Sequence, residues 1–448
     1  MHRSDNAPNI ESVMNISLPR PNPTRRAALP FIVITVALDL LAFGIIIPVL
    51  PRLIQDFLGG EAVSAAQIYG LFGLTWAVMQ FFGSPILGTL SDAVGRRPVI
   101  LLSNIALGID YLAMAVAPGV GWLLLGRAIG GLASSSFTTA FAYVADVTDA
   151  DRRAAGFGII GAAFAFGFIA GPALGGILGA VDPRLPFGAA AALCLANALY
   201  GIFVLPESLP QERRAPFSWS RANPLAALRL LKSNRTLFGV SAVLFLSNLA
   251  HEVFPAVFVL YAGHRFGWSE VVIGFALASV GIASAAVQGG LVRRAVARFG
   301  EVPTMVAGLA CGAAGTILFG LAPSGGWIWL AIPVAALWGL FGPSAQSLMT
   351  QRVHPSQQGQ LQGALNSLRG VSGLIGPVLF TSSLAAAMSH QGATMILGAP
   401  FFVAAVLLLG ALLAIGLAPW RTGLVDRSRG CRAVPLLSRH QGQATLTR

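Results

Sequence analysis

Residues 88–97 read Gly88-Thr89-Leu90-Ser91-Asp92-Ala93-Val94-Gly95-Arg96-Arg97, a charged turn bracketed by glycines and set between two long apolar runs. Charge packed that tightly between lipid-length segments predicts a cytoplasmic hairpin joining two membrane helices. Gly88 is small enough for close helix approach. Asp92 can bond backbone donors or the guanidinium of Arg96, and Gly95 permits a left-handed turn. Later in the chain Arg298-Phe299-Gly300-Glu301 is a worn copy of the same turn, with Gly300 for Gly95. The offset between those glycines also carries Gly158 onto Gly363, Gly171-Pro172 onto Gly376-Pro377, and Asp151-Arg152-Arg153 onto Ser356-Gln357-Gln358. Gly70 falls one residue out of step with Gly274. The chain therefore reads as a two-fold repeat built in a bilayer.

Composition fits that reading. The chain is 55% hydrophobic and 10% charged, with a mean hydropathy of +0.73, where a soluble protein carries about 25% charged residues. Its 52 glycines suit helices that touch closely in lipid. About twelve apolar segments approach the roughly 20 residues that cross a hydrocarbon core. They are 29–50, 66–89, 98–117, 122–144, 156–180, 186–205, 236–260, 271–292, 303–322, 326–349, 363–387 and 393–418. The expected organisation is an N-terminal tail (1–28), an N-terminal half (29–205), a linker (206–235), a C-terminal half (236–418) and a basic, disordered tail (419–448). Pro224–Leu231 in the linker reads as an interfacial amphipathic helix.

The net charge of +12 would suit nucleic acid, but its placement argues otherwise. With both termini cytoplasmic, only Arg52, Arg184 and Arg265 fall in outer loops and only Arg127 and Arg369 within spans. The rest of the 29 Lys and Arg residues lie inside. That is the positive-inside asymmetry, so the charge reports topology. Cys194, Cys311 and Cys431 show neither disulfide nor metal spacing. Residues 1–28 lack the apolar core and cleavage site of a signal peptide, so the first span is expected to be retained. No cofactor or metal site is expected.

Two six-helix halves with a site at their interface is a secondary-transporter architecture. Gly88–Arg97 resembles the loop signature of the major facilitator superfamily between helices 2 and 3, except that Ala93 stands where that superfamily commonly has a basic residue. Leu124-Leu125-Gly126-Arg127-Ala128-Ile129-Gly130-Gly131 is similar to its helix 4 motif, and Gly167–Gly176 to the helix 5 motif of antiporters. Further stretches resemble the tetracycline efflux branch: Leu38-Asp39 through Ile47-Pro48-Val49-Leu50-Pro51, Asp110-Tyr111, Tyr143–Asp149, Leu205-Pro206-Glu207-Ser208, and Gln358-Gly359-Gln360-Leu361-Gln362-Gly363. The resemblance implies an all-α, twelve-helix integral membrane protein of the bacterial inner membrane. It also implies a proton-coupled role for Arg127.

Charge inside a bilayer is costly and marks pathways. Asp39 is expected either to face the cavity and carry a proton or to pair structurally. Asp110 either couples protons or bonds neighbouring helices, and Arg127 would pair with Asp39 or Asp110. Glu252, in the span that repeats the first, would face Asp39 across the interface or snorkel to the outer water. Asp92 and Arg96, with Gly88, Gly95 and Arg97, read as a gate latch that engages the other half only while the outside is open. Asp146 and Asp149 would receive those arginines, or remain a solvated helix end. Gly171-Pro172 reads as a kink with close packing. Gln80, Asn248 and Gln288 are polar cavity candidates or helix glue, and Trp76 with Phe81-Phe82 forms a drug wall or a lipid-facing belt.

One departure bears on substrate. Tetracycline exporters carry an acid in helix 9, where this chain aligns Gly312, and the ninth span has no charge. Either Glu252 substitutes for that acid or the substrate and stoichiometry differ; weak or absent tetracycline export is expected, rising in Gly312→Asp if the helix face is right. The expected function is export of an amphipathic small molecule in exchange for protons, with a proton-independent or importing facilitator as the alternative. A non-transporting scaffold is disfavoured, since it needs no intramembrane acids. No GxSxG, HExxH or P-loop supports an enzyme.

Overall fold

The computed structural model describes residues 23–134, 137–148, 153–219, 226–232, 235–354, 357–389 and 396–417. Asp149, residues 1–22 of the N-terminal tail and the C-terminal tail with Cys431 lie outside them. Among the described residues the secondary structure is helical throughout, and eleven segments are long and apolar enough to cross a membrane. The expected fourth span is present as two pieces, Val120–Ala133 (α5) and Phe137–Val147 (α6), either side of residues 135–136.

Several spans are broken, and the breaks follow the repeat. The first consists of α1 (Pro23–Ile46) and α2 (Leu50–Phe57), parted where Pro48 and Pro51 supply no backbone donor. After α3 (Ala62–Val94), α4 (Arg96–Ala115), α7 (Arg153–Val181) and α8 (Leu185–Val204), the seventh span divides into α9 (Arg235–His251) and α10 (Val253–Phe266). The offset that takes Gly95 to Gly300 takes Ile46, the last residue of α1, to His251, the last of α9. The eighth span joins α11 (Glu270–Ala286) to α12 (Val292–Phe299) through a π-type turn at Val287–Leu291. Next comes α13 (Glu301–Leu321). The tenth span divides into α14 (Gly325–Ala336) and α15 (Phe341–Thr350), before α16 (Gln358–Ser389) and α17 (Ala399–Gly416).

Each half folds round its own apolar core. Two cores lie within Ile32–Leu205, and the largest runs from Leu230 to Ile415 with Ala66 added from α3. Phe203, Leu330, Val406 and Leu413 are at least 65% exposed, forming a lipid-facing surface on α8, α14 and α17. The linker segment Ala226–Lys232 buries Leu230 and Leu231 in the C-terminal core. It is docked on protein, and Pro224 and Leu225 of the interfacial helix expected there lie outside the described residues.

The halves meet along α3 with α16 and along α7 with α11. Small residues allow this approach: Gly73 lies against Pro377, Gly70 against Thr381, Gly176 against Glu270 and Gly274 against Pro172. Gly171 also presses on Gly44 of α1, where an added Cβ would lie 2.6 Å from Gly44 Cα, and α7 runs unbroken through Pro172. Contact continues to Gly281 against Ile169 and, along α3, to Phe81 against Gly370, and is absent at glycines nearer the basic end. A Cβ at Gly88, Gly158, Gly161 or Gly289 would meet nothing within 4 Å. Gly88 therefore makes no close helix approach here, because the halves have parted at the basic end that carries the Gly88–Arg97 turn.

Candidate functional site

At the parted end the turn is a clamp within the N-terminal half. Gly95 adopts φ +112°, and its repeat partner Gly300 adopts +85°; each is followed at once by a helix. Arg96 binds Asp92 at 2.6 Å, Asp146 at 3.2 Å and the Ser91 hydroxyl at 2.6 Å. The Arg97 guanidinium donates to the Ile202 carbonyl. The α4 N-terminus has no capping side chain of its own, and Glu207 supplies one from beyond α8. Its carboxylate accepts from the backbone N–H of Arg96 at 2.9 Å and of Arg97 at 3.3 Å, where a helix favours negative charge. The C-terminal half repeats the clamp with changed chemistry: Gln351, at the position of Asp146, donates to Glu301, at the position of Arg96, at 2.9 Å.

At the opposite end the halves are tied. Arg52 of α2 forms an ion pair with Glu270 at the start of α11, and the Tyr69 hydroxyl donates to the Pro255 carbonyl at 3.3 Å.

Asp39 lies in a polar knot inside the N-terminal half. Asn197 of α8 donates to its Oδ1 at 2.8 Å and to the Thr35 carbonyl at 2.9 Å. With the Asn104 amide turned to donate, its nitrogen lies 3.0 and 3.1 Å from the two carboxylate oxygens. Both asparagines are fully buried. Asp39 thus looks toward α4 and α8, and Glu252 packs on Gly376 of α16. The expectation that the two acids face one another is corrected: each is turned to a different helix.

Asp110 is buried in α4, and neither oxygen has a hydrogen-bond partner. Gly126 and Gly130 of α5 make room for it, since Cβ atoms there would approach its oxygens to 2.8 and 3.0 Å. Arg127 lies close enough for its charge to act on Asp110. Among the described residues it forms no direct ion pair with Asp39 or Asp110. It lies 5.8 Å over the Trp76 ring, which in turn packs 5.7 Å from Phe43. Gln80 is half-buried in α3, and Gln288 is exposed in the π-type turn beside Gly339. Asn248 is half-buried, with an amide nitrogen that lacks a partner.

The place of the missing helix 9 acid is filled. A Cβ on Gly312 would lie 2.8 Å from the Trp338 ring, whose N–H donates to the Ser247 hydroxyl at 2.9 Å and whose ring centre lies 5.2 Å from His251. The helix face at Gly312 has no room for a carboxylate, which corrects the expected gain from Gly312→Asp. Sequence reasoning assigned no role to Trp338, Arg369, Asn104, Asn197 or Glu270. Arg369 and the two asparagines carried a usable signal, being polar residues within lipid-length spans.

Residues 32–377 match the family model of the Major Facilitator Superfamily. The chain is 37% identical over 380 residues to the class C tetracycline resistance protein of Escherichia coli, covering 84% of this chain and 94% of that protein. It is 35% identical to the class G protein of Vibrio anguillarum, covering 82% and 93%. Among solved structures, the human organic anion transporter MFSD10 (TETRAN) superposes with a TM-score of 0.66 at 25% identity, covering 88% of this chain and all of that one. A bacterial homolog of the human lysosomal transporter Spinster reaches 0.70 at 18%, covering 90% and 98%. From the glycine-bracketed turn, its repeat and these likenesses together, the chain belongs to the Major Facilitator Superfamily and groups there with the tetracycline resistance proteins.

Proposed function

We propose that this protein exports an amphipathic, drug-like small molecule across the bacterial inner membrane in exchange for protons. The observation that carries the reading is the asymmetry of the bundle, tied at Arg52–Glu270 and parted at the basic end. Such an arrangement is one of the two conformations that alternating access requires. The positive-inside pattern puts the basic end, both tails (1–28 and 419–448) and the linker 206–235 in the cytoplasm, so the parted end opens inward. The halves 29–205 and 236–418 would then rock about the central space. The relatives' name supports a drug as substrate, and the Asp39 knot and the unpartnered Asp110 supply intramembrane carboxylates for proton exchange. Asp92, Arg96 and Arg97 hold the turn that must move when the inner end closes.

The test is uptake into everted membrane vesicles with an imposed interior-acid gradient, across a panel of amphipathic drugs that includes tetracycline. Accumulation that collapses on adding a protonophore is the expected result. Absence of gradient-dependent accumulation for every compound refutes the reading.

A further inference from the structure

Among the described residues, Asn248 and His251 of α9 and Arg369 of α16 carry N–H groups that make no hydrogen bond. Arg369 of α16 is exposed, yet among the described residues it makes no hydrogen bond and no ion pair. It does not face lipid. Ile375 and Val378, each 42% exposed, mark the lipid side of α16, whereas Arg369 lies two turns below Gly376 on the face that abuts Glu252. Just above Arg369, the Ser372 hydroxyl reaches the Phe245 carbonyl at 3.5 Å, so α16 runs beside α9 here. The Arg369 charge acts on His251, which closes α9 and is exposed. One turn before His251, the Asn248 amide nitrogen is buried without an acceptor.

An aromatic surface adjoins these donors. Trp338 stands edge-on to His251 at 5.2 Å, held by Ser247 in front and seated against Gly312 behind. Among the described residues no carboxylate pairs with the arginine. Asp39 is bonded to Asn104 and Asn197, Asp110 lies against Gly126 and Gly130 in the other half, and Glu252 is turned onto Gly376. An unpaired cation inside a membrane bundle is costly and is retained where a ligand completes it. A guanidinium with amide and imidazole N–H groups beside an aromatic ring is complementary to an anionic oxygen on a flat apolar body.

We infer that Arg369, assisted by Asn248 and His251, binds a carboxylate or enolate oxygen of the transported molecule while its ring system lies against His251 and Trp338. The preferred substrates are therefore amphipathic aromatic anions. This rests on the transporter reading above, but its test needs no gradient, so failure of coupling and failure of anion preference are read separately.

Calorimetry on the purified full-length protein in detergent would compare three ring-matched probes: naphthalene-1-acetate, naphthalene-1-acetamide and naphthalene-1-methylammonium. The acetate should bind about tenfold more tightly than the amide, as a charge-assisted pair provides, and the ammonium should bind most weakly. Arg369→Gln should erase the difference between acetate and amide, Arg369→Lys should keep most of it, and Asn248→Ala should reduce it. Melting temperature and elution volume check that each variant folds, and the wild-type comparison stands even if Arg369→Gln does not. Failure of the acetate to bind, equal binding of acetate and amide, or a preference that survives in folded Arg369→Gln overturns the assignment.

Discussion

Replacing Arg52 by Gln should loosen the tied end of the bundle by a calculable amount. The Glu270 side chain is 8% exposed and that of Arg52 is 52% exposed, so the pair lies between the surface and buried limits. Surface pairs contribute up to about 1 kcal/mol, while orphaning a buried partner costs about 3–5 kcal/mol. An intermediate figure of about 1–2 kcal/mol shifts the balance between conformers roughly 5- to 30-fold toward the form open at that end. Thr381 is a suitable reporter, being 1% exposed and seated against Gly70 below the pair. In a background with Cys194, Cys311 and Cys431 changed to Ser, Thr381→Cys should react with a membrane-impermeant maleimide about 5- to 30-fold faster when Arg52→Gln is added. Exchanging the two charges, as Arg52→Glu with Glu270→Arg, should return the rate toward the parent's. Equal labelling of Arg52→Gln and parent would show that the pair does not hold this end.

Asp39→Asn should abolish gradient-driven accumulation while changing substrate affinity little, because the amide cannot cycle a proton; wild-type accumulation by the variant would make Asp39 structural. Glu207→Ala should lower stability by about 0.5–2 kcal/mol through loss of the α4 cap, read as a reduced melting temperature in detergent, and an unchanged melting temperature would remove the cap's importance. Asp92→Asn should slow transport in reconstituted vesicles with near-normal protein abundance, since it loosens Arg96 on one side only; unchanged rates sink the gate argument. Gly312→Asp should lower the melting temperature and give no rise in tetracycline resistance, because the new side chain meets Trp338. Raised resistance at normal stability would contradict that packing.

Much of the fold was legible because a bilayer imposes length and a repeat imposes offset. Gly95 and Gly300 announced two turns of one kind, whereas the division of the first and seventh spans was not read from Pro48, Pro51 and Pro255. The direction of a side chain was harder to read. A helix apolar on every side carries no stripe to orient it, so Asp39 could be placed in depth but not rotated toward Asn104 and Asn197. Pairings between distant segments left still less trace. Glu207 reads as an ordinary linker acid until the α4 N-terminus is seen to lack a cap, and Arg52 is only an outer-loop charge until Glu270 is brought beside it. The empty helix 9 position was visible as Gly312, but Trp338, its occupant, comes from another span.

The matched breaks after Ile46 and His251 bear on how the tied end opens. Beyond them lie short end-pieces, α2 carrying Arg52 and α10 carrying Pro255, which pack on one another and on α3. A helix interrupted at mid-depth transmits little torque, so these pieces can adjust on their own hinges as the two halves rock.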